Sequence, residues 1–239
     1  MTLRAILFGS IGAVVETSER QREAFNTAFR QFDVDLFWDR ETYQSLLQQP
    51  GGRRRIAEAL ANASVEADDA LVDAIYNEKT SLFLSALRAG VEARPGVVNL
   101  LEQAGQAGLA VGFVSGTDRR VVDAVIEGAV GVNANQFDLI LSGTDAKNAK
   151  PDPEIYRFAL SQLAMEPTEC VAIEDTAASG RAAMAAGIPV LFTPGALTEG
   201  DDWSSVEGQI ASLETLGLGP NAITALQIWH ADQLNQKAA

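Results

Sequence analysis

Several groups of residues in this chain have types and spacings suited to polar chemistry. Glu174-Asp175 sets two carboxylates side by side at the end of the apolar run Cys170–Ile173. Lys147, Lys150 and the run Arg53-Arg54-Arg55 could form a local positive pocket for a small anion. Ser115-Gly116-Thr117 closes another apolar run before a helix near Arg119, so its hydroxyl and amides could hold phosphate oxygens at a helix start. These groups also have plainer readings: Lys150 could be an ordinary exposed lysine before a Pro-initiated helix, and Arg53-Arg54-Arg55 a solvated basic turn. Thr117 or Asp118 could simply cap the following helix, and Asp175 or Thr176 could cap the helix that begins at Ala177. The stretch Ile6-Leu7-Phe8-Gly9-Ser10-Ile11-Gly12 reads as a buried strand running into a glycine turn, a common platform for a reactive group. It carries no side chain well suited to attack a substrate, and Ser10 points to the opposite face if strand alternation persists.

The elements that must position these groups follow from the hydrophobic pattern. Ala5–Phe8, Ala110–Ser115, Phe137–Leu141, Cys170–Ile173 and Pro189–Thr193 read as strands, with helices near 96–107, 119–127, 153–164 and 177–186. Strands apolar on both faces and separated by helices imply an α/β fold with a parallel sheet covered on two sides. Ligands of such sheets bind beyond the carboxyl ends of the strands. That rule gathers Gly9, Ile11, Ser115 and Glu174-Asp175 around one crevice, joined by Lys150 if its loop folds back. The gap between the first two strands is far longer than a crossover needs. Most of it reads as helix: Arg20–Phe32, Asp39–Leu47, Arg53–Asn62 and Ala67–Ala89. Residues 16–92 are therefore expected to form an inserted helical domain able to cover the crevice, with 1–15 and 93–239 forming the core.

Composition narrows the classes. The chain has 239 residues, 47% hydrophobic and 21% charged, ample for a sizeable core. A net charge of −14 argues against a general nucleic-acid binder. No apolar run approaches the roughly 20 residues that span a bilayer, and the start lacks a signal-peptide layout. With one cysteine, Cys170, no internal disulfide can form, so a reducing, cytoplasmic location is expected. Cys170 and His230 read as structural.

Taken in order, five segments resemble the haloacid dehalogenase superfamily of phosphohydrolases over nearly the whole chain, most closely its CbbY-type branch acting on xylulose bisphosphate. They are "AILFGSIGAVVETSERQREAFNTAF", "FWDRETYQSLLQQPGGRRRI", "FVSGT", "KNAKPDPEIYRFAL" and "CVAIEDTAASGRAAMAAGIPV". The last two are the most specific. The resemblance implies a Rossmann-like parallel sheet with an inserted helical cap. It also implies an aspartate nucleophile where Gly9 stands, an acid/base aspartate where Ile11 stands and a threonine where Ala13 stands. It further implies Mg²⁺ held by the first aspartate, the Ile11 carbonyl and Asp175, with Glu174 as a residual candidate. Lys150, Ser115 and Gly116 would meet phosphate, Glu16 the substrate, and Arg53 and Arg55 the far phosphate of a bisphosphate. Gln21 stands where His is expected.

The departures fall on the chemistry: Gly9 has no side chain and Ile11 can neither give nor take a proton. The leading expectation is a relative that has lost ordinary phosphohydrolase turnover, uses no cofactor, and keeps its fold to bind a phosphorylated small molecule or to regulate. An enzyme of altered or weak activity is the second reading. An interaction protein using the tail 202–239 is the third.

Overall fold

A computed structural model of the chain describes residues 2–47, 51–198, 203–204, 212–213 and 219–238. The chain divides into two compact units, Met1–Glu16 with Gly90–Ala239, and Thr17–Ala89.

The first unit is built on a five-stranded parallel sheet. Its strands are β1 (Ala5–Phe8), β3 (Ala110–Val114), β5 (Leu139–Leu141), β6 (Cys170–Glu174) and β7 (Val190–Phe192), in the order β5-β3-β1-β6-β7. Every residue of β1 is buried, as a central strand covered on both faces requires. On one face Ala5, Leu7 and Ala172 share a cluster with Ile155, Tyr156 and Ala159 of α8 (Glu154–Leu163) and Ala182 of α9 (Ala177–Ala185). Helix α6 (Val97–Gln106) packs on β3 and carries α10 (Ala222–Ala238), while α7 (Arg119–Gly128) follows β3.

The strands and helices lie where the apolar pattern predicts, with ends that differ by one or two residues in either direction. Expected strand Phe137–Leu141 is regular only from Leu139, because the Asp138 side chain turns back to accept the Val111 amide at 2.8 Å. Two features carry no periodic signal. One is the single turn α1 (Ile11–Val14), whose amide at Ala13 is capped by Ser10 Oγ at 3.2 Å. The other is a parallel pair of two-residue strands, β2 (Val91–Glu92) and β4 (Ala129–Val130), beside a bridge from Val15 to Ala93.

In the second unit, α2 (Ser18–Gln31) packs on α5 (Asp69–Arg88), with α3 (Arg40–Leu47) and α4 (Gly52–Asn62) beside them. Phe25, Phe29, Trp38 and Tyr43 form its aromatic centre. Asn26 fixes the loop there by accepting the Trp38 amide and donating to its carbonyl, both at 2.8 Å.

Of the tail 202–239, residues 202, 205–211, 214–218 and 239 lie outside the described residues. Trp203 meets Phe192 edge-on at 5.1 Å, and Ala222, Ile223, Leu226 and His230 are buried, so the described tail packs on its own unit. Ile228 alone of its large apolar residues is mostly exposed. No described helix is long and apolar enough to cross a membrane.

Candidate functional site

Strand register decides which distant residues meet. Phe8 is level with Phe113 on one neighbour and with Ile173 on the other. The next residues, Gly9, Val114 and Glu174, therefore emerge together at the carboxyl edge of the sheet. Side chains alternate, so Gly9 and Glu174 continue the face of Leu7 and Ala172, toward α8.

On that face Glu174 is fully buried and its Oε1 accepts from Lys150 Nζ at 2.7 Å and from Tyr156 Oη at 2.5 Å. Lys150 also donates to the carbonyls of Gly9 and Val114 and stands 4.6 Å from the Tyr156 ring centroid. An ammonium has three protons to give; here a carboxylate and two main-chain carbonyls take them. A Cβ added at Gly9 would fall inside the van der Waals envelopes of Tyr156 Oη and Glu174 Oε1. The room for a side chain at the strand tip is thus occupied by a Lys150–Glu174–Tyr156 cluster. Burial, and then the charge of Glu174, hold the Tyr156 phenol well above its usual range, so it stays protonated at neutral pH.

The opposite face holds different chemistry. On that side the Ser10 hydroxyl caps α1 and is one of the groups that draw the Asp175 carboxyl down. Burial, followed by the charge of Glu174, pushes the Asp175 carboxyl up to about 6, against the pull of Ser10 and Arg94. Asp175 Oδ1 and Glu174 Oε2 are buried with no hydrogen-bond partner among the described residues. Thr176, not Asp175, caps α9, accepting the Ser179 amide at 3.2 Å. Glu16 accepts the Ala196 amide at 3.0 Å. The Arg94 guanidinium binds the carbonyls of Gly12, Thr193 and Pro194, tying the turn after β1 to the loop after β7.

A pH effect follows from Asp175. Its folded value lies above the ordinary 3.8, so the protonated form is favoured in the fold, and stability is lost as pH rises through about 6. At about 1.4 kcal/mol per unit, ionisation costs the fold on the order of 2–3 kcal/mol at pH 8. Asp175→Asn is expected to raise the thermal midpoint by several degrees at pH 8 and to change it little near pH 4, measured by calorimetry.

The remaining expected site residues are distributed as follows. Ser115 is buried; its amide donates to Leu141 and its hydroxyl accepts the Thr117 amide at 3.1 Å, so it shapes the turn. Asp118 caps α7 through the Arg120 amide. A Cβ on Gly116 would touch the Lys150 alkyl chain at 3.9 Å, which places this turn beside the cluster. In the helical unit, Arg53 is exposed and paired with Asp69 and Asp73. Arg55 is buried and its Nε donates to the Leu46 carbonyl at 2.9 Å. Ile11 is buried as the first residue of α1.

The donors suit Mg²⁺ poorly. Glu174 Oε2 and Asp175 Oδ1 are hard oxygens free to accept, but the neighbouring ammonium of Lys150 already neutralises Glu174 and repels a cation. Among the described residues no group of three acidic, histidine or cysteine side chains could surround a metal. Sequence reasoning overlooked two of the polar groups here. Tyr156 lay inside the quoted K-P-D-P-E-I-Y run without a role, and Arg94 in Glu92-Ala93-Arg94-Pro95-Gly96 carries no motif signal.

Residues 3–187 match the haloacid dehalogenase-like hydrolase family. The chain belongs to that family. Protein CbbY of Rhodobacter capsulatus is 34% identical over 215 residues, 89% of this chain and 95% of that protein. The crystal structure of CbbY from Rhodobacter sphaeroides in complex with phosphate superposes with a TM-score of 0.81 at 34% identity, covering 90% of this chain and 96% of that one. An aspartate-to-asparagine variant of the same CbbY, solved with xylulose-(1,5)bisphosphate, matches to the same extent. This haloacid dehalogenase-like chain thus shares the α/β fold, with its parallel sheet flanked by helices, of a protein that has been seen holding phosphate.

Proposed function

We propose that this chain is a non-hydrolysing member of the haloacid dehalogenase-like family that binds a phosphorylated small molecule in a regulatory role and needs no Mg²⁺. The observation that carries this reading is the filled strand tip: Tyr156 and Glu174 stand where a nucleophile on residue 9 would project. Covalent phosphoryl transfer needs an attacking group with an adjacent base, and a positioned proton donor adds ~10²–10⁴-fold. Neither Gly9 nor Ile11 offers either. Loss of one member of a cooperating set can cost roughly 10⁶ in kcat. The ligand class rests on the CbbY structures, where phosphate occupies one and xylulose bisphosphate a variant lacking one aspartate. Lys150 can meet such an anion only by releasing Glu174, so binding will be weak.

The test joins chemistry to binding. With xylulose bisphosphate and Mg²⁺, phosphate release is expected at the level of buffer alone, no phosphorylated protein is expected by intact mass, and titration calorimetry should show ligand heat with or without metal. A phosphorylated chain would end this reading.

One pairing favours the second reading of altered, slow hydrolysis: the Ser10 hydroxyl acts on the Asp175 carboxyl, which burial pushes up to about 6. Phosphoserine at residue 10, absent in Ser10→Ala, would establish it.

A further inference from the structure

Helix α10 is the last described element and packs on α6. Its docking rests on few groups. Ala222, Ile223 and Leu226 are buried, and the Ile223 amide donates to Gln103 Oε1 at 3.3 Å. Asn99 and Gln103 hold the Gly219 carbonyl just before the helix, at 2.8 and 2.7 Å. One turn beyond Leu226 comes His230, the chain's single histidine, with 1% of its surface open. Its Nε2 is buried with no hydrogen-bond partner among the described residues. A neutral imidazole tolerates this, because that nitrogen then carries only a lone pair. An imidazolium does not, because both nitrogens become donors and a full charge is kept from water. Leucine would fill the same space without an orphan nitrogen.

The surroundings offer the imidazolium no counter-charge. The main chain at Cys170 and Thr168 acts on the ring, as does the positive amino terminus, which opposes a second cation. Burial pushes the Cys170 thiol up to about 12, so it stays neutral. Glu169 accepts from Arg4 and from the Glu166 amide, each at 2.9 Å. The titratable side chain of α6 is Glu102. On α10 itself Asp232 is exposed and, two residues on, leaves the helix on another side. Neither carboxylate is among the groups that act on His230.

We propose that His230 is an acid-sensitive latch: when its imidazole takes up a proton, α10 lifts from α6 to hydrate the charge while the parallel sheet stays folded. A terminal helix that buries few side chains opens at less cost than the sheet does. Burial holds the docked imidazole below its ordinary value of about 6.5. The released helix therefore binds more protons than the docked one. Docking is complete above pH 6.5 and is lost as pH falls through the docked value. Asp175 titrates in the same range with the opposite sign, since acid favours its buried form, so the two effects are separable. The latch is independent of the proposed function, because it uses none of the groups at the sheet's carboxyl edge.

Amide hydrogen exchange of the full-length protein, read by peptide mass and corrected for the intrinsic effect of pH on exchange, is compared at pH 7.5 and pH 5.5. Protection over 222–236 is expected to fall about five- to tenfold in acid, the linkage of one group that is ordinary when released and lowered when docked. β1 and β6 should lose none. His230→Leu should abolish the pH response of α10. In the unaltered protein the lone imidazole is followed by NMR, and its midpoint should lie below 6.5 and coincide with the loss of protection. Equal protection of α10 at the two pH values, a loss shared by β1 and β6, a response that survives in His230→Leu, or an imidazole midpoint at or above 6.5 would overturn the proposal.

Discussion

Replacing Gly9 with Asp is expected to destabilise the protein by about 3–5 kcal/mol, the scale for an uncompensated buried charge, and to leave phosphate release at background. The new side chain would begin inside the space of Tyr156 Oη and Glu174 Oε1, and both of those residues are fully buried, with no solvent to swing into. It would also set a second carboxylate beside one ammonium, that of Lys150, whose protons are already directed at Glu174 and two carbonyls. For a chain of this size 1 kcal/mol moves the midpoint by roughly 2–4 °C, so a fall near 10 °C is expected. Millimolar Mg²⁺ is expected to recover little in either protein, because Asp175 leaves on the opposite face and the Lys150 ammonium stands beside Glu174. Adding Tyr156→Phe, which removes one of the obstructing oxygens, should recover part of the loss. Adding Ile11→Asp and Ala13→Thr supplies the other groups that the family resemblance implies. Thermal unfolding with and without Mg²⁺, together with a phosphate assay, reads all of these. A Gly9→Asp protein as stable as its parent would show that the cluster yields freely and that the tip is open in solution.

How much of this was legible beforehand depends on what each feature leaves in the sequence. The parallel sheet was visible because central strands such as Ala5-Ile6-Leu7-Phe8 must be apolar on both faces. The ligand edge followed from topology, and register then supplied what periodicity cannot: Gly9, Val114 and Glu174 at one level. The empty tip was also legible, since glycine and isoleucine announce what they lack. What fills it was not. Whether Lys150 faces an incoming anion or turns onto Glu174 depends on which acceptors the fold brings within reach, and no local pattern records that. The orphan nitrogen of His230 escaped for a similar reason. In the run Trp229-His230-Ala231 it reads as one more structural residue of a helical tail, and only its burial without a partner for Nε2 shows what a proton would do there.

The two carboxylates at 174 and 175 illustrate the same limit. Read as a pair, they suggest one shared site. Because consecutive residues at a strand end leave on opposite sides, Glu174 joins Lys150 and Tyr156 while Asp175 joins Ser10 and the field of Arg94. The lysine therefore pairs with one carboxylate and not with the other, which is why these neighbours respond differently to substitution.

Lys150→Met is accordingly expected to cost about 3–5 kcal/mol, because Glu174 would be left charged and buried with the Tyr156 hydroxyl as its remaining donor. Glu174→Gln should cost less, since Lys150 keeps the carbonyls of Gly9 and Val114 as acceptors. The double variant should be more stable than Lys150→Met alone, because removing both charges removes the unpaired one, and a coupling of roughly 2–3 kcal/mol is expected for groups in direct contact. Denaturant unfolding of the four proteins measures that coupling. The result separates two roles for the lysine. A residue held ready for phosphate would lose ligand heat on substitution with little change in stability, and its effect would not depend on residue 174. A residue that plugs the site loses stability first and regains it when its partner is neutralised, and the single ion pair at 2.7 Å predicts the second pattern.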